Sequence, residues 1–150
     1  GTATFDAPGS GTVTITATAG TQSDTTVVTI DPTAATVLGR VVDDQAFLGV
    51  QGVIVDFKQG TSNVASATTM PNGYFAAAVP ITATRFHLRA SSINAGFYKQ
   101  FSFNALRYTA LDALCSAPLP GLAAGTITTL SNCALTPTTG PPPPPPNGCS

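Results

Sequence analysis

Polar and apolar residues alternate along several short stretches of the chain, which predicts β-strands rather than helices. In "GTVTITATAG" (11–20), Val13, Ile15 and two alanines occupy every second position, with threonines between them. This period of two is typical of a strand with one buried and one polar face. The segment "TTVVTI" (25–30) predicts a second strand, which Pro32 ends because proline has no N–H for the ladder.

Residues 1–32 have too few strands to cover their own apolar face. Two or three strands with one apolar face are not a stable unit in water. We therefore expect one of two arrangements: either the chain begins within a domain whose other strands cover this face, or these strands complete a sheet in a neighbouring subunit by β-strand addition. The residues predicted to form this assembly strand are Val13, Ile15, Val28 and Ile30.

The strand pattern continues through residues 33–137, with Gly-, Pro- and Asn-containing turns between short alternating segments. Such spacing predicts an all-β sandwich, to which the first 32 residues add extra strands. The corner "Pro71-Asn72-Gly73" predicts a tight hairpin. Tyr74 and Phe75 then begin the return strand on opposite faces, one buried and one exposed.

Two later segments are predicted less directly from periodicity. Within 91–125, the aromatic residues Phe97, Phe101 and Phe103 are expected to cover an open edge or end of the sandwich. The segment "NALRYTALDALC" (104–115) contains good helix formers and predicts one or two helical turns.

The segment 138–150 contains six consecutive prolines, which predict a polyproline II tail. Such a tail acts as a stiff spacer or linker. The predicted organisation of the chain therefore has three parts: 1–32, 33–137 and 138–150.

Composition narrows the class of protein. Charged residues are only 9% of the chain and the net charge is −1, with no run of Lys or Arg, so the sequence lacks the basic footprint of a nucleic-acid or anionic-membrane partner. No apolar run has the roughly 18 residues that a membrane span requires. Low charge, abundant threonine and few strong helix formers indicate a secreted, extracellular or cell-surface protein.

Three cysteines bear on this assignment. In an oxidising compartment we expect a disulfide between Cys115 and Cys133, with two buried free thiols as the alternative. Cys149 is then left over, and an odd cysteine in a secreted chain indicates an intermolecular bridge or a partner lost by truncation.

The remaining candidates for chemistry favour no enzyme. His87 lies between Arg85 and Arg89 on the polar face of a strand, and a solvated face is the favoured interpretation over a basic stripe for an anionic sugar. Asp43 and Asp44 are interpreted as turn residues, with a calcium site made with backbone carbonyls as the less favoured alternative. We predict no catalytic residue, no cofactor and no metal site.

The residues between 36 and 90 resemble the carboxypeptidase regulatory-like, or prealbumin-like, β-sandwich. The order "G-x-V…L-x-G-V-x-V…T-x-x-x-N-G-Y-F…V-P…F-x-L" carries this resemblance, and "TLSNCALTP" (129–137) is similar to its last strand. Met70 and the long 91–125 segment depart from the pattern. The resemblance implies an accessory or stalk domain without an active site.

The opening residues resemble the closing strands of bacterial immunoglobulin-like repeats, on "TATFDAPGSGTVTITAT" followed by "SDTTVVTI". That resemblance implies an adhesin or other surface protein. Together these features predict a non-enzymatic structural module of a surface filament, pilus-like appendage or adhesin stalk, a homo-oligomer or a neighbour of other domains in the same polymer. The alternative is a carbohydrate-binding accessory domain of a secreted hydrolase, with glycans stacking on Tyr74, Tyr98 or Tyr108.

Overall fold

Every regular element that the structure describes is a β-strand. A computed structural model describes residues 11–30, 33–89, 98–109 and 115–137. Its twelve strands are β1 (Gly11–Ala19), β2 (Gln22–Ile30), β3 (Ala34–Asp43), β4 (Ile54–Gln59), β5 (Ser62–Thr68), β6 (Tyr74–Pro80), β7 (Arg85–Arg89), β8 (Tyr98–Phe103), β9 (Leu106–Thr109), β10 (Ala117–Pro118), β11 (Ile127–Thr129) and β12 (Cys133–Pro137). The described residues contain no helix long and apolar enough to cross a membrane.

The strands after residue 33 form two sheets. One has four strands in the order β10-β7-β4-β5, all antiparallel. The other is organised around β3, which pairs with β6 antiparallel and with β11 and β12 in parallel, while β12 continues to β8 and β9. The predicted all-β sandwich class is confirmed at this level.

The core lies between these two sheets. Phe57 of one sheet packs against Phe75 of the other at 6.3 Å between ring centroids, and Phe86 meets Phe103 edge to face at 4.9 Å. Valines from both sheets complete the buried cluster, which includes Val37, Val41, Val53, Val55 and Val79. Contacts between rings on opposite sheets define a sandwich rather than two separate sheets.

Phe101 and Phe103 do not cover an edge, as the sequence pattern indicated. Both belong to the central core, because β8 is an interior strand of the second sheet and directs them inward. Phe97 lies outside the described residues. The predicted helical turns are also wrong where they can be compared, since Leu106–Thr109 forms the edge strand β9 paired with β8.

The Pro-Asn-Gly corner is a tight turn, but it does not join two strands of one sheet. The Gly73 N–H donates to the Met70 carbonyl at 2.8 Å, and Gly73 has a φ of 81°, which favours glycine. β5 before the turn pairs with β4, whereas β6 after it pairs with β3. The turn therefore carries the chain from one sheet to the other, and the hairpin prediction is corrected to a crossover.

The turn packs closely on the end of β3. The Val41 N–H donates to the Gly73 carbonyl at 2.9 Å, and a Cβ placed on Gly49 would overlap the backbone of Asn72. As predicted, Phe75 is buried in the core and Tyr74 faces outward. The sequence thus predicted the local turn. It did not predict which sheet each flanking strand joins, because that depends on pairing with distant strands.

Candidate functional site

The hairpin of β1 and β2 forms a third, separate sheet. Its ladder places Val13 opposite Val28, Ile15 opposite Thr26, and Gly11 opposite Ile30. Because facing residues of an antiparallel ladder share one side of the sheet, positions 13, 15, 28 and 30 lie on the same face. The backbone register therefore groups the four residues predicted for the assembly strand.

The hairpin is exposed to an unusual degree for residues in a β-sheet. Ile15 is half-buried, the threonines of the opposite face are exposed, and Val27 is 62% exposed. Within the described part of the chain, neither β1 nor β2 pairs with any other strand. Each strand therefore has one edge on which no other described strand forms a ladder.

The cysteines are arranged differently from the predicted pairing. Cys133 is a buried free thiol, whereas Cys115 is disulfide-bonded. The expected Cys115–Cys133 disulfide is therefore wrong. Both residues are buried in the core cluster, but sequence spacing alone does not establish the S–S distance that a bond requires. Cys149 lies outside the described residues.

Burial determines the chemistry of the free thiol. Cys133 is fully buried on β12, and burial raises the pKa of its thiol to about 12. The thiolate is the reactive form of cysteine, so a thiol with so high a pKa is protonated and inert at neutral pH. Cys133 acts as a small apolar residue of the core.

The outer face of the four-stranded sheet carries an ion pair. Arg89 donates to both carboxylate oxygens of Asp56, at 2.8 and 2.6 Å, and the Ser66 hydroxyl donates to Asp56 Oδ1 at 2.7 Å. Burial alone would raise the pKa of Asp56, but the hydrogen bonds and positive charge of Arg89, aided by Ser66, outweigh it and lower that pKa. This arrangement stabilises the sheet and leaves Asp56 ionised.

His87 is buried, contrary to the predicted solvated face. It is only 2% exposed, and its Nδ1 donates to the Cys115 carbonyl oxygen at 2.9 Å. Beside it, Arg85 donates from Nε to the Ser116 hydroxyl at 2.8 Å and from a second nitrogen to the Ser116 carbonyl. Since β10 and the residues before it cover this end of the sheet, the side chains hold two segments together.

Asp43 stabilises the turn after β3, as predicted. Its Oδ1 accepts the N–H groups of Gln45 and Ala46 at 2.9 and 2.8 Å, and its Oδ2 accepts the Tyr98 hydroxyl at 2.8 Å. The bond from Ala46 has the largest effect and, with those from Tyr98 and Gln45, lowers the pKa of Asp43 despite opposing desolvation. The neighbouring Asp44 accepts the Thr136 hydroxyl at 2.7 Å.

Few aromatic side chains are available to stack on a sugar. Tyr74 is 47% exposed, but the Arg40 guanidinium lies 5.0 Å from its ring centroid. Tyr98 is half-buried and Tyr108 is in the core. Phe47, which the sequence did not single out, is the most exposed aromatic of the described residues and lies in the β3–β4 loop.

No group of three or more His, Cys, Asp or Glu side chains that could hold a metal occurs among the described residues. Comparison with known proteins finds no matching family model and no match among curated proteins. The structural features above therefore carry the functional argument.

Proposed function

We propose that the protein is a non-enzymatic, extracellular structural module that assembles by β-strand complementation between neighbours. It would serve as a subunit or repeat of a surface filament, pilus-like appendage or adhesin stalk. The observation that carries this proposal is the β1–β2 hairpin, which groups four apolar positions on one face and pairs with no other described strand.

Strand complementation suits this hairpin for two reasons. A free edge supplies backbone hydrogen bonds to an incoming strand, and an apolar face supplies the burial that stabilises the contact. Soluble proteins commonly protect such edges with charged residues. In β1 and β2 the only charged residue is Asp24, which pairs with Ala17 near the turn and so lies on the same face as Ile15. Away from that end, the hairpin lacks the usual protection against pairing with another chain.

The remaining features are compatible with a mechanical role. The sandwich carries the carboxypeptidase regulatory-like sequence pattern, for which a stalk or accessory domain is the expected role. Hydrogen-bonded polar side chains connect segments of the sandwich to one another, and they include Asp56, Arg89 and His87. A low charge density also reduces repulsion between copies in an assembly.

Sedimentation and electron microscopy of matched variants test the proposal. We expect the full chain to form oligomers or fibres, and Ile15→Asp to abolish them because it places a charge on the apolar face. Thr14→Asp adds the same charge to the opposite face and is expected to leave assembly intact. Assembly that is equally sensitive to both substitutions, or a wild-type chain that stays monomeric at high concentration, would contradict the proposal.

A carbohydrate-binding accessory domain is the second candidate, supported by the exposed rings of Phe47 and Tyr74. Sugar rings stack on exposed aromatic faces. In this case a glycan array would give binding that Phe47→Ala or Tyr74→Ala abolishes, whereas Tyr108→Phe, a change inside the core, would not affect it. The absence of glycan binding would remove this candidate.

A further inference from the structure

Two buried oxygen atoms on the outer side of the larger sheet have no hydrogen-bond partner. They are Oδ1 of Asp44 and Oε1 of Gln100. Gln100 is only 4% exposed, although it lies on the face of β8 opposite to the core residue Phe101. An unsatisfied buried acceptor destabilises the folded state, and more strongly when it is charged, so native structures leave few of them. Both atoms are acceptors and neither can satisfy the other.

The fold brings these two oxygens to the same place. Gln100 is the ladder partner of Thr136, so their side chains lie side by side on one face of the sheet. The Thr136 hydroxyl donates to Oδ2 of Asp44, and the Asp44 N–H donates to the carbonyl of Leu135, which anchors Asp44 beside β12. Gln100 and the Asp44 carboxylate are therefore both direct neighbours of Thr136.

A second carboxylate lies next to this pair. Tyr98 is two residues before Gln100 on β8, and its hydroxyl donates to Asp43 at 2.8 Å. Burial, the bond to Asp43 and the negative charges of Asp43 and Asp44 raise the pKa of Tyr98 to about 12. The ion pair found among the described residues joins Arg89 to Asp56, so no described cation neutralises either Asp43 or Asp44.

We propose that Asp44 and Gln100 bind a calcium ion at this position, with Asp43 supplying a second negative charge. Calcium accepts carboxylate and amide oxygens in flexible geometry and completes its six to eight ligands with water. Asp44 Oδ1 and Gln100 Oε1 are the direct protein ligands. Asp43 Oδ1 already accepts two backbone N–H groups, so that residue acts chiefly through its charge.

This site differs from the less favoured calcium interpretation of the sequence, which relied on Asp43, Asp44 and carbonyl oxygens alone. The decisive ligand, Gln100, is 56 residues away in the chain and is placed by the pairing of β8 with β12. With two direct protein ligands, the expected dissociation constant is about 10⁻⁴–10⁻³ M, the range of extracellular calcium modules. Binding would join the β3–β4 loop to β8 and β12, independently of the hairpin and of assembly.

Thermal unfolding and terbium luminescence test the site in the full chain. We expect about 10 mM calcium to raise the Tm by several degrees. Terbium replaces calcium at oxygen sites and is excited by a nearby tyrosine, and the chain contains no tryptophan to obscure that signal. Tyr98→Phe is therefore expected to remove most of the terbium emission while the calcium-induced shift in Tm persists.

If the site binds a cation, a substitution that adds a negative charge should strengthen calcium binding, and one that removes a charge or an oxygen ligand should weaken it. Gln100→Glu adds a charged ligand and is expected to tighten calcium binding about tenfold or more, while Asp44→Asn and Gln100→Leu weaken it by a similar factor. Asp24→Asn on the exposed hairpin removes the same charge and serves as the control. An unchanged Tm with calcium in the wild type overturns the proposal and indicates that water satisfies the two oxygens. The proposal is also overturned if Asp24→Asn reduces the calcium-induced shift in Tm as much as Asp44→Asn does.

Discussion

The hairpin and the sandwich are built from the same alternating sequence pattern but differ in what covers their apolar faces. In the sandwich, Phe57 and Phe86 are fully buried against rings from the opposite sheet. In the hairpin, Ile15 on the apolar face is only half-buried, and Val27 on the opposite, threonine-bearing face is exposed as well. An alternating strand pattern thus indicates that a face needs cover, and it does not indicate whether the cover comes from the same chain.

This difference has an energetic consequence. A two-stranded hairpin is marginal in water, whereas a face buried between two sheets contributes about 25 cal/mol for each square ångström of apolar surface removed from water. The sandwich should therefore account for the cooperative unfolding of the monomer. The hairpin should add stability only when another chain covers it.

The largest contrast is expected from truncating one large side chain in each region. Phe86→Ala should lower the free energy of unfolding by about 3–5 kcal/mol, because it leaves a cavity beside Phe103. Ile15→Ala should lower it by less than about 1 kcal/mol in the monomer. Urea denaturation at a concentration where the protein is monomeric measures both, and equal effects would contradict the separation of the two regions.

Glycines in the two regions should also respond differently. Gly49→Ala should destabilise the sandwich by about 1–3 kcal/mol, because the new Cβ meets the backbone of Asn72. Gly20→Ala strains a residue with a φ of 63° in the hairpin turn, where no atom lies near the new methyl group. Since the hairpin lies outside the cooperative unit, Gly20→Ala should leave the Tm of the monomer unchanged. A large shift in calorimetry would place the hairpin within that unit.

The ion pair of Asp56 predicts how sandwich stability depends on pH. The pKa of Asp56 is lowered in the folded protein, from about 3.9 in the unfolded chain. Its stabilising contribution is therefore fully present above about pH 4 and is lost as the pH falls through the lower folded pKa. Asp56→Asn should lower the free energy of unfolding at pH 7 by about 2 kcal/mol and flatten its acid dependence. Asp24→Asn in the hairpin should change neither the free energy of unfolding nor its acid dependence. If Asp24→Asn lowered the free energy of unfolding as much as Asp56→Asn does, the contacts of Asp56 would add no stability.

The smallest change to the protein is made by thiol labelling, which compares cysteine reactivity in the sandwich and in the hairpin. Cys133 should resist alkylation in the native protein and react once denaturant is added, because its thiol is buried and its pKa is raised. A thiol introduced in the hairpin by Thr14→Cys should react without denaturant. Peptide mapping should show that Cys115 becomes labelled only after reduction. Rapid native labelling of Cys133 would contradict its place in the core.

The sequence predicted local features better than distant pairing. Alternation located β1 and β2, and turn chemistry located the corner before Tyr74 and Phe75, because both depend on neighbouring residues. The crossover at that corner, the strand β9 and the core position of Phe101 all depend on which strands pair. The same limit explains the wrong disulfide, since Cys115 and Cys133 are both buried yet not bonded to each other.

The polar residues were the hardest to interpret. His87 occupies a polar position of a regular strand, which indicated a solvated face, but it is buried and bonded to the Cys115 carbonyl. Asp56, for which the sequence analysis made no prediction, is also buried and is bonded to Arg89. Gln100 carried no signal in the sequence, because a single glutamine gains a role only when β8 lies beside β12. The one sequence feature that could have drawn notice is its position directly before Phe101 in an aromatic-rich segment.

Hydrogen–deuterium exchange, compared between the dilute monomer and the concentrated protein, measures whether a neighbour covers the hairpin. We expect fast exchange of the amides of 11–30 in the monomer, slow exchange of the core strands, and protection of the hairpin on assembly. Strong protection of the hairpin in the monomer would show that the chain covers this face itself. Equally fast exchange in both samples would show that no neighbour covers it.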